Sequence, residues 1–302
     1  MIPKAKEIKL IAIYLYICNL YDTNLKYSCM RFSNNAEPEF TDQEIMTIYL
    51  FAMHVEQRFK ISQIHEFADG YLRSWFPKLP SYTAFNIRLN FLSEALKSLA
   101  IHLIEVFQPL SCDKGTSLLD SMPIITCSGK RNAKVAREIT DKGYCSTKSM
   151  YYYGLKLHAL GYRRPGQLPF PEQFLLTPAS ENDLNLFRQA WGGIENRTFY
   201  GDKIYHDVEY FENAFNNQNS IMLTPVKGIK GQTENIKMWD KAANDLFSTA
   251  VSKVRQPIES LFNWLIEKTD IQRASKVRST KGLMVHVFGR IAAAYLFLVF
   301  NP

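Results

Sequence analysis

Three carboxylates stand out in this 302-residue chain by the company they keep. Asp120 follows Leu118-Leu119 and precedes Ser121-Met122-Pro123-Ile124, an apolar stretch in which an unpaired charge would be costly to bury. Asp202 closes the run Thr198-Phe199-Tyr200-Gly201 and so falls at a strand end, the usual edge for a site in an α/β sheet. Glu259 lies in Arg255-Gln256-Pro257-Ile258-Glu259-Ser260-Leu261-Phe262, beside the packing stripe of Ile258, Leu261, Phe262 and Leu265 rather than opposite it. Each acid alone also fits a capping or salt-bridge role. Together they offer hard oxygen donors of the kind that suit Mg²⁺, which keeps its waters and takes one or two carboxylates per ion.

The elements that must carry these acids can be read from periodicity. Up to residue 110 the pattern is helical. Thr41-Asp42-Gln43-Glu44 is a capping box that starts a helix at Thr41. A second helix is expected over 61–76, ending at Pro77 and Pro80. Ser81 then caps a long helix whose Phe85, Leu89, Leu92, Leu96, Leu99, Leu103, Val106 and Phe107 recur at three and four. The turn between them, with Arg73, Lys78 and Arg88 nearby, also allows a helix-turn-helix-like DNA reader, although its loop is long for that motif. Past Ser111 the period changes to that of strands, expected over 117–124, 149–160, 173–177, 197–201 and 220–226. Tyr151, Tyr153, Leu155, Leu157 and Ala159 would share one face of the second. Ser180 caps a helix running to Trp191, and Asp207 opens another. Residues 241–268 are helical, with Pro257 starting a new helix or kinking one. The expected fold is α/β: a mixed sheet flanked by helices over 111–302, preceded by an all-helical domain over 1–110.

The charge is uneven. Over 128–164 there are nine Lys or Arg against Glu138 and Asp141, and over 227–290 twelve against six acids. The net +7 of the chain is therefore carried by two segments, while the remainder is acidic. Concentrated basic charge suits a polyphosphate partner, because each neutralised phosphate releases counterions. The loop residues Lys130, Arg131, Lys134 and Arg137 are read as DNA contacts. Tyrosines 144, 151, 152, 153 and 162 interleave the first basic segment as base-contacting or as packed strand residues. Asp183 and Asp207 read as helix-start acids, His158 as a surface histidine and Trp264 as core.

Other classes are excluded. Ordinary Gly and Pro usage with 46% hydrophobic residues argues against disorder. The five cysteines show no zinc-like spacing, and a reducing, cytoplasmic home follows as the default. The apolar stretch 10–18 lacks a signal-peptide cleavage site and reads as a core helix. The stretch 291–300 is half the roughly 20 residues of a membrane span and reads as a buried closing helix.

Order and spacing add to the three acids: 82 residues separate Asp120 from Asp202, and 57 separate Asp202 from Glu259, on strand, strand and helix. This pattern resembles the DDE transposases of bacterial insertion sequences. Phe76-Pro77-Lys78-Leu79-Pro80-Ser81-Tyr82, Tyr200-Gly201-Asp202-Lys203, Arg255-Gln256-Pro257-Ile258-Glu259 and Arg273-Ala274-Ser275-Lys276-Val277-Arg278-Ser279 are similar to the insertion sequence 982 group across nearly the whole chain. A related branch carries Tyr-x2-Arg-x3-Glu-x6-Lys. Here Arg255 and Glu259 satisfy the centre, but Ser252 and Ile266 stand where Tyr and Lys would be, so neither role carries over.

The resemblance implies an RNase H-like catalytic domain, cleavage at element ends, and transfer of the freed 3′ hydroxyl to target DNA. It implies two Mg²⁺ ions, with Mn²⁺ as a substitute, held by Asp120 as bridging ligand and by Asp202 and Glu259. It further implies double-stranded DNA partners, both terminal inverted repeats and target, a homodimer or larger synaptic assembly, no membrane, and a place on the nucleoid. The N-terminal helices would have a possible role in binding DNA ends, and Arg273, Lys276 and Arg278 would contact DNA. Arg255 could meet a phosphate or pair with Glu259. A nuclease that only hydrolyses, and a DNA-binding relic with structural acids, remain as alternatives.

Overall fold

The structure, a computed structural model, describes residues 2–29, 38–130, 135–226, 228 and 231–300. Among the described residues five α-helices come first: α1 (Lys4–Thr23), α2 (Asp42–His54), α3 (Ile61–Tyr71), α4 (Tyr82–Phe91) and α5 (Ser93–Val106). The capping box is present: Thr41 Oγ1 accepts from the Glu44 amide, and Glu44 Oε2 accepts from the Thr41 amide at 2.6 Å. The long helix expected after Ser81 is two helices, broken at Leu92, because both present apolar residues to the same core and the three-four spacing runs on across the break. Of its expected core residues Val106 is exposed, while Phe107 is partly buried against the core. Arg73 and Arg88, raised above as candidate DNA contacts, are engaged internally. Arg88 makes a bidentate pair with buried Asp42 (2.7 Å each) and donates to the Cys29 carbonyl, while Arg73 pairs with Asp69.

The sheet follows, from β1 (Asp113–Ser128), β2 (Asp141–Cys145), β3 (Met150–Arg163), β4 (Phe170–Pro178), β5 (Thr198–Tyr200) and β6 (Ile221–Leu223). Central β1 pairs antiparallel with β3 and parallel with β5, which pairs parallel with β6. The far edge of β3 is shared end to end by β2 and β4. Strand β2 was not anticipated. A register shift between Ile125 and Cys127 leaves Thr126 as an extra residue on β1, and past it the large core no longer covers β3: Tyr152 packs into a small cluster with Cys145 and Ala179, and Tyr151 is exposed although Leu155 and Leu157 are buried. A Cβ at Gly154 would lie 1.9 Å from the Ile124 carbonyl oxygen, which explains the glycine there.

The helices α6 (Asp183–Ala190), α7 (Val208–Gln218), α8 (Glu234–Arg255), α9 (Pro257–Thr269), α10 (Thr280–Met284) and α11 (Arg290–Phe300) complete the chain, with a π-helical turn, Val285–Gly289, before the last. Pro257 begins α9 as its first residue, where its missing N–H costs nothing. Side chains alternate across β1. Leu118, Met122 and Ile124 face a large apolar cluster shared with α9, α11 and the N-terminal helices, while Leu119 faces a second one built on Phe187, Trp191 and Phe199. Helices therefore cover both sides of a mixed sheet, the α/β, RNase H-like arrangement expected, with helices ahead of it in the chain. No helix among the described residues is long and apolar enough to cross a membrane.

Candidate active site

The three acids converge because of strand register. Parallel pairing sets Leu118 against Tyr200, and Asp202, two residues past that pair and just beyond the end of β5, comes near enough to Asp120 for its charge to act on it. Asp120 lies on the face of β1 that packs against α9, and Glu259 occupies the first turn of that helix. Asp202 caps the short turn Lys203–Tyr205 by accepting from the Ile204 amide at 2.9 Å.

At the centre is Arg255, the last residue of α8. Its Nη1 donates to Asp120 Oδ2 at 3.0 Å and its Nη2 pairs with Glu259 Oε1. Of the two roles left open for Arg255, carboxylate pairing is the one observed. Asp120 Oδ1 also accepts from the Ser121 amide at 2.8 Å. Burial pushes the Asp120 carboxyl from 3.8 up to about 6. Arg255 and the Ser121 amide oppose the rise, and the charges of Asp202 and Glu259 add to it. Asp202 is raised as well, first by burial and then by Asp183 and Glu259, against the Ile204 amide and Arg255. The guanidinium is held more firmly protonated by Asp120, Glu259 and Asp202, which outweigh its own burial.

Among the described residues no three His, Cys, Asp or Glu side chains stand close enough to grip one ion. The donor set nevertheless suits a divalent cation. Three hard carboxylates against one guanidinium leave a formal charge of −2 in a half-buried place, and two of the acids already lean toward their protonated forms.

Directly behind Asp120, on the opposite face of β1, lies a network that the sequence reading missed. Asp183 starts α6, as expected, but Asn182 is the cap, accepting from the Leu184 amide at 2.8 Å. The Asp183 carboxylate is buried instead, and accepts from Ser121 Oγ and from Lys156 Nζ, each at 2.8 Å. His158, expected on the surface, is fully buried. Its Nε2 lies 2.7 Å from Thr177 Oγ1 and its Nδ1 is 3.9 Å from Asp183. Burial lowers it to about 4, helped by Lys156 and resisted by Asp183. The available sequence signal was Lys156 between Leu155 and Leu157, a cation in an apolar strand that needs an anion.

The other sequence-selected residues are spread out. Lys130 and Arg137 are exposed after β1, while Arg131 and Lys134 lie outside the described residues. Arg273, Lys276 and Arg278 are exposed beyond α9, and Arg278 Nη1 donates to the carbonyls of Ser275 and Val277 at 3.1 and 2.8 Å. Asp207 behaves as read, accepting from the Tyr210 amide at 3.0 Å and pairing with Arg188. Trp264 packs against the core, edge-on to Tyr295.

Compared with known proteins, no curated protein and no solved structure matches the chain. The family model described as the transposase DDE domain matches residues 111–297, which hold the six strands of the described residues and Asp120, Asp202 and Glu259. Membership of that family implies transposase activity and a DNA partner. With the match covering well over half of its length, the chain belongs to the transposase DDE domain family.

Proposed function

We propose that this chain cleaves DNA at the ends of an insertion sequence of the 982 group and transfers the freed 3′ hydroxyl to target DNA, with Asp120, Asp202 and Glu259 as its catalytic acids. The observation that carries this reading is that Arg255 pairs with both Asp120 and Glu259, with Asp202 near enough for its charge to act on Asp120 and Arg255. Asp120, Asp202 and Glu259 would hold Mg²⁺, or Mn²⁺ in its place. When bound, the metal neutralises charge on a phosphodiester and favours both the attacking and the departing oxygen.

The chain's own residues do the rest. The Ser121 amide and Arg255 fix the two oxygens of Asp120, so its carboxylate is presented in one orientation. Arg255 also tethers Glu259 and offsets one of the three negative charges, which lets them stand together. The exposed cations Lys130, Arg137, Arg273, Lys276 and Arg278, with Arg131 and Lys134, bind backbone phosphates without regard to sequence. In this reading residues 111–302 form the catalytic domain and residues 1–110 contribute to holding DNA ends. Two copies or more assemble to bring two ends together, in the cytoplasm on the nucleoid.

The test uses the purified chain, Mg²⁺, and a duplex carrying the short inverted repeats that flank its gene. Nicked and joined products are expected from the unaltered protein. Asp202→Asn and Glu259→Gln should each lower cleavage by roughly 100-fold or more, as when one preorganised charge-stabilising group is removed, with DNA affinity retained. Full turnover in either variant removes that residue from the site. Nicking without joining reduces the activity to hydrolysis.

A further inference from the structure

A cleft of about 870 Å³ separates the N-terminal helices from the segment that follows α9. Lys60, at the start of α3, lines one wall; Arg273, Lys276 and Arg278 line the other; Arg290, at the start of α11, lies between, and Asp270 is the only acid among the lining residues. Helix α4 adds the amides of Asn86 and Asn90. Among the described residues none of the five cations forms an ion pair.

Arg290 is the telling member. Its side chain is only 5% exposed, yet it meets carbonyls rather than a carboxylate: Nη1 donates to Thr269 O and Nη2 to Phe59 O at 2.6 Å, while Nε has no partner. A buried guanidinium that no carboxylate contacts, with only Asp270 in the cleft acting on it from further off, is costly to keep, and an anion in the cleft would supply the direct partner it lacks. The cleft is also tied to the catalytic strand. The Ile125 amide donates to Gln272 O at 2.8 Å, and the Ala274 amide donates to Ile125 O at 2.9 Å. Ile125 lies five residues beyond Asp120, about 17 Å along the strand, a distance that a DNA backbone rising about 3.4 Å per nucleotide covers in roughly five steps.

We propose that this cleft is a DNA-backbone groove in which Lys60 and Arg290, contributed by the helices, act with Arg273, Lys276 and Arg278 on phosphodiester oxygens of the same duplex whose scissile bond reaches Asp120. The proposal rests on the transposase reading above and gives the N-terminal helices a direct part in it. A space of this size is far larger than one phosphate group needs, given that a water takes about 30 Å³, and its cations come from three separate elements. A backbone running through the cleft satisfies both features, whereas a single free anion satisfies neither.

The experiment measures binding of a fluorescein-labelled duplex of mixed sequence over a salt series, without divalent ions. Lys60 and Lys276 are exposed, so Lys60→Gln/Lys276→Gln is expected to melt as the unaltered chain does. The slope of log affinity against log salt should flatten by about 1.8, which is 0.9 for each lost phosphate contact. The charge-matched pair Lys4→Gln/Lys26→Gln, outside the cleft, should leave it unchanged. Equal slopes for the unaltered chain and the Lys60/Lys276 variant overturn the groove, as does an equal loss in the control pair. If pyrophosphate raises the melting temperature through Lys60 and Lys276 while the duplex slope stays fixed, the cleft takes free phosphates and the groove again fails. Strand cleavage with an unchanged slope refutes the groove alone. A flattened slope in a chain that never cleaves supports the groove and refutes the catalytic reading.

Discussion

Asp120→Asn should stabilise the metal-free protein at alkaline pH, even though the same change is expected to end catalysis. A carboxyl lifted from 3.8 to about 6 in the folded chain binds its proton more tightly there than in the unfolded chain. Folding stability therefore falls as pH rises through the window from about 4 to 6, and stays at its lower level above it. The difference is worth about 3 kcal/mol, at 1.36 kcal/mol per pKa unit. Asparagine cannot ionise, and it keeps an oxygen for the Ser121 amide. Arg255, relieved of Asp120, still has Glu259 as a partner. For 302 residues at about 2.1 cal/mol/K each, 3 kcal/mol corresponds to a melting temperature about 5 °C higher. Thermal melts of both proteins in chelator at pH 4 and pH 8 provide the assay: near-equal midpoints at the lower pH, and the variant ahead at the higher. A variant that melts earlier at pH 8, or a gap that ignores pH, would refute the view that burial of the Asp120 charge is uncompensated without metal.

Two further outcomes concern the scaffold. Asp183→Asn leaves Lys156 without its anion and should cost about 3 kcal/mol in urea unfolding, most of it recovered in Asp183→Asn/Lys156→Met; additive losses in the double variant would show that the pair is not coupled. Gly154→Ala drives a methyl against the Ile124 carbonyl and should lower stability by about 3 kcal/mol, so an unshifted denaturation midpoint would mean that the bulge relaxes freely.

What the sequence disclosed depended on whether the signal was local. Thr41 and Glu44 are three residues apart and Pro257 marks its own helix start, so both boundaries could be placed from the chain alone. The three acids were selected one at a time by their apolar or strand-end surroundings, and the parallel register of β1 with β5 then explains why two of them meet. Strand β2, with the composition Asp-Lys-Gly-Tyr-Cys, carries no apolar alternation, because it is an edge strand whose pairing comes from β3. The Asp183–Lys156 pair joins residues 27 apart across an element boundary, and no periodicity encodes it. Leu92 breaks a helix without Gly or Pro, so only packing against the shared core reveals the break.

The apolar cluster that unites the first five helices with α11 bears on how the chain leaves the ribosome. Roughly 180 residues separate the end of α5 from the start of α11. At 5–20 residues per second, the early helices wait about 10–40 s with an unfilled flank before their late partner is made. A premature stop just ahead of Arg290 would therefore spare all three acids and still deprive the opening third of the protein of its packing.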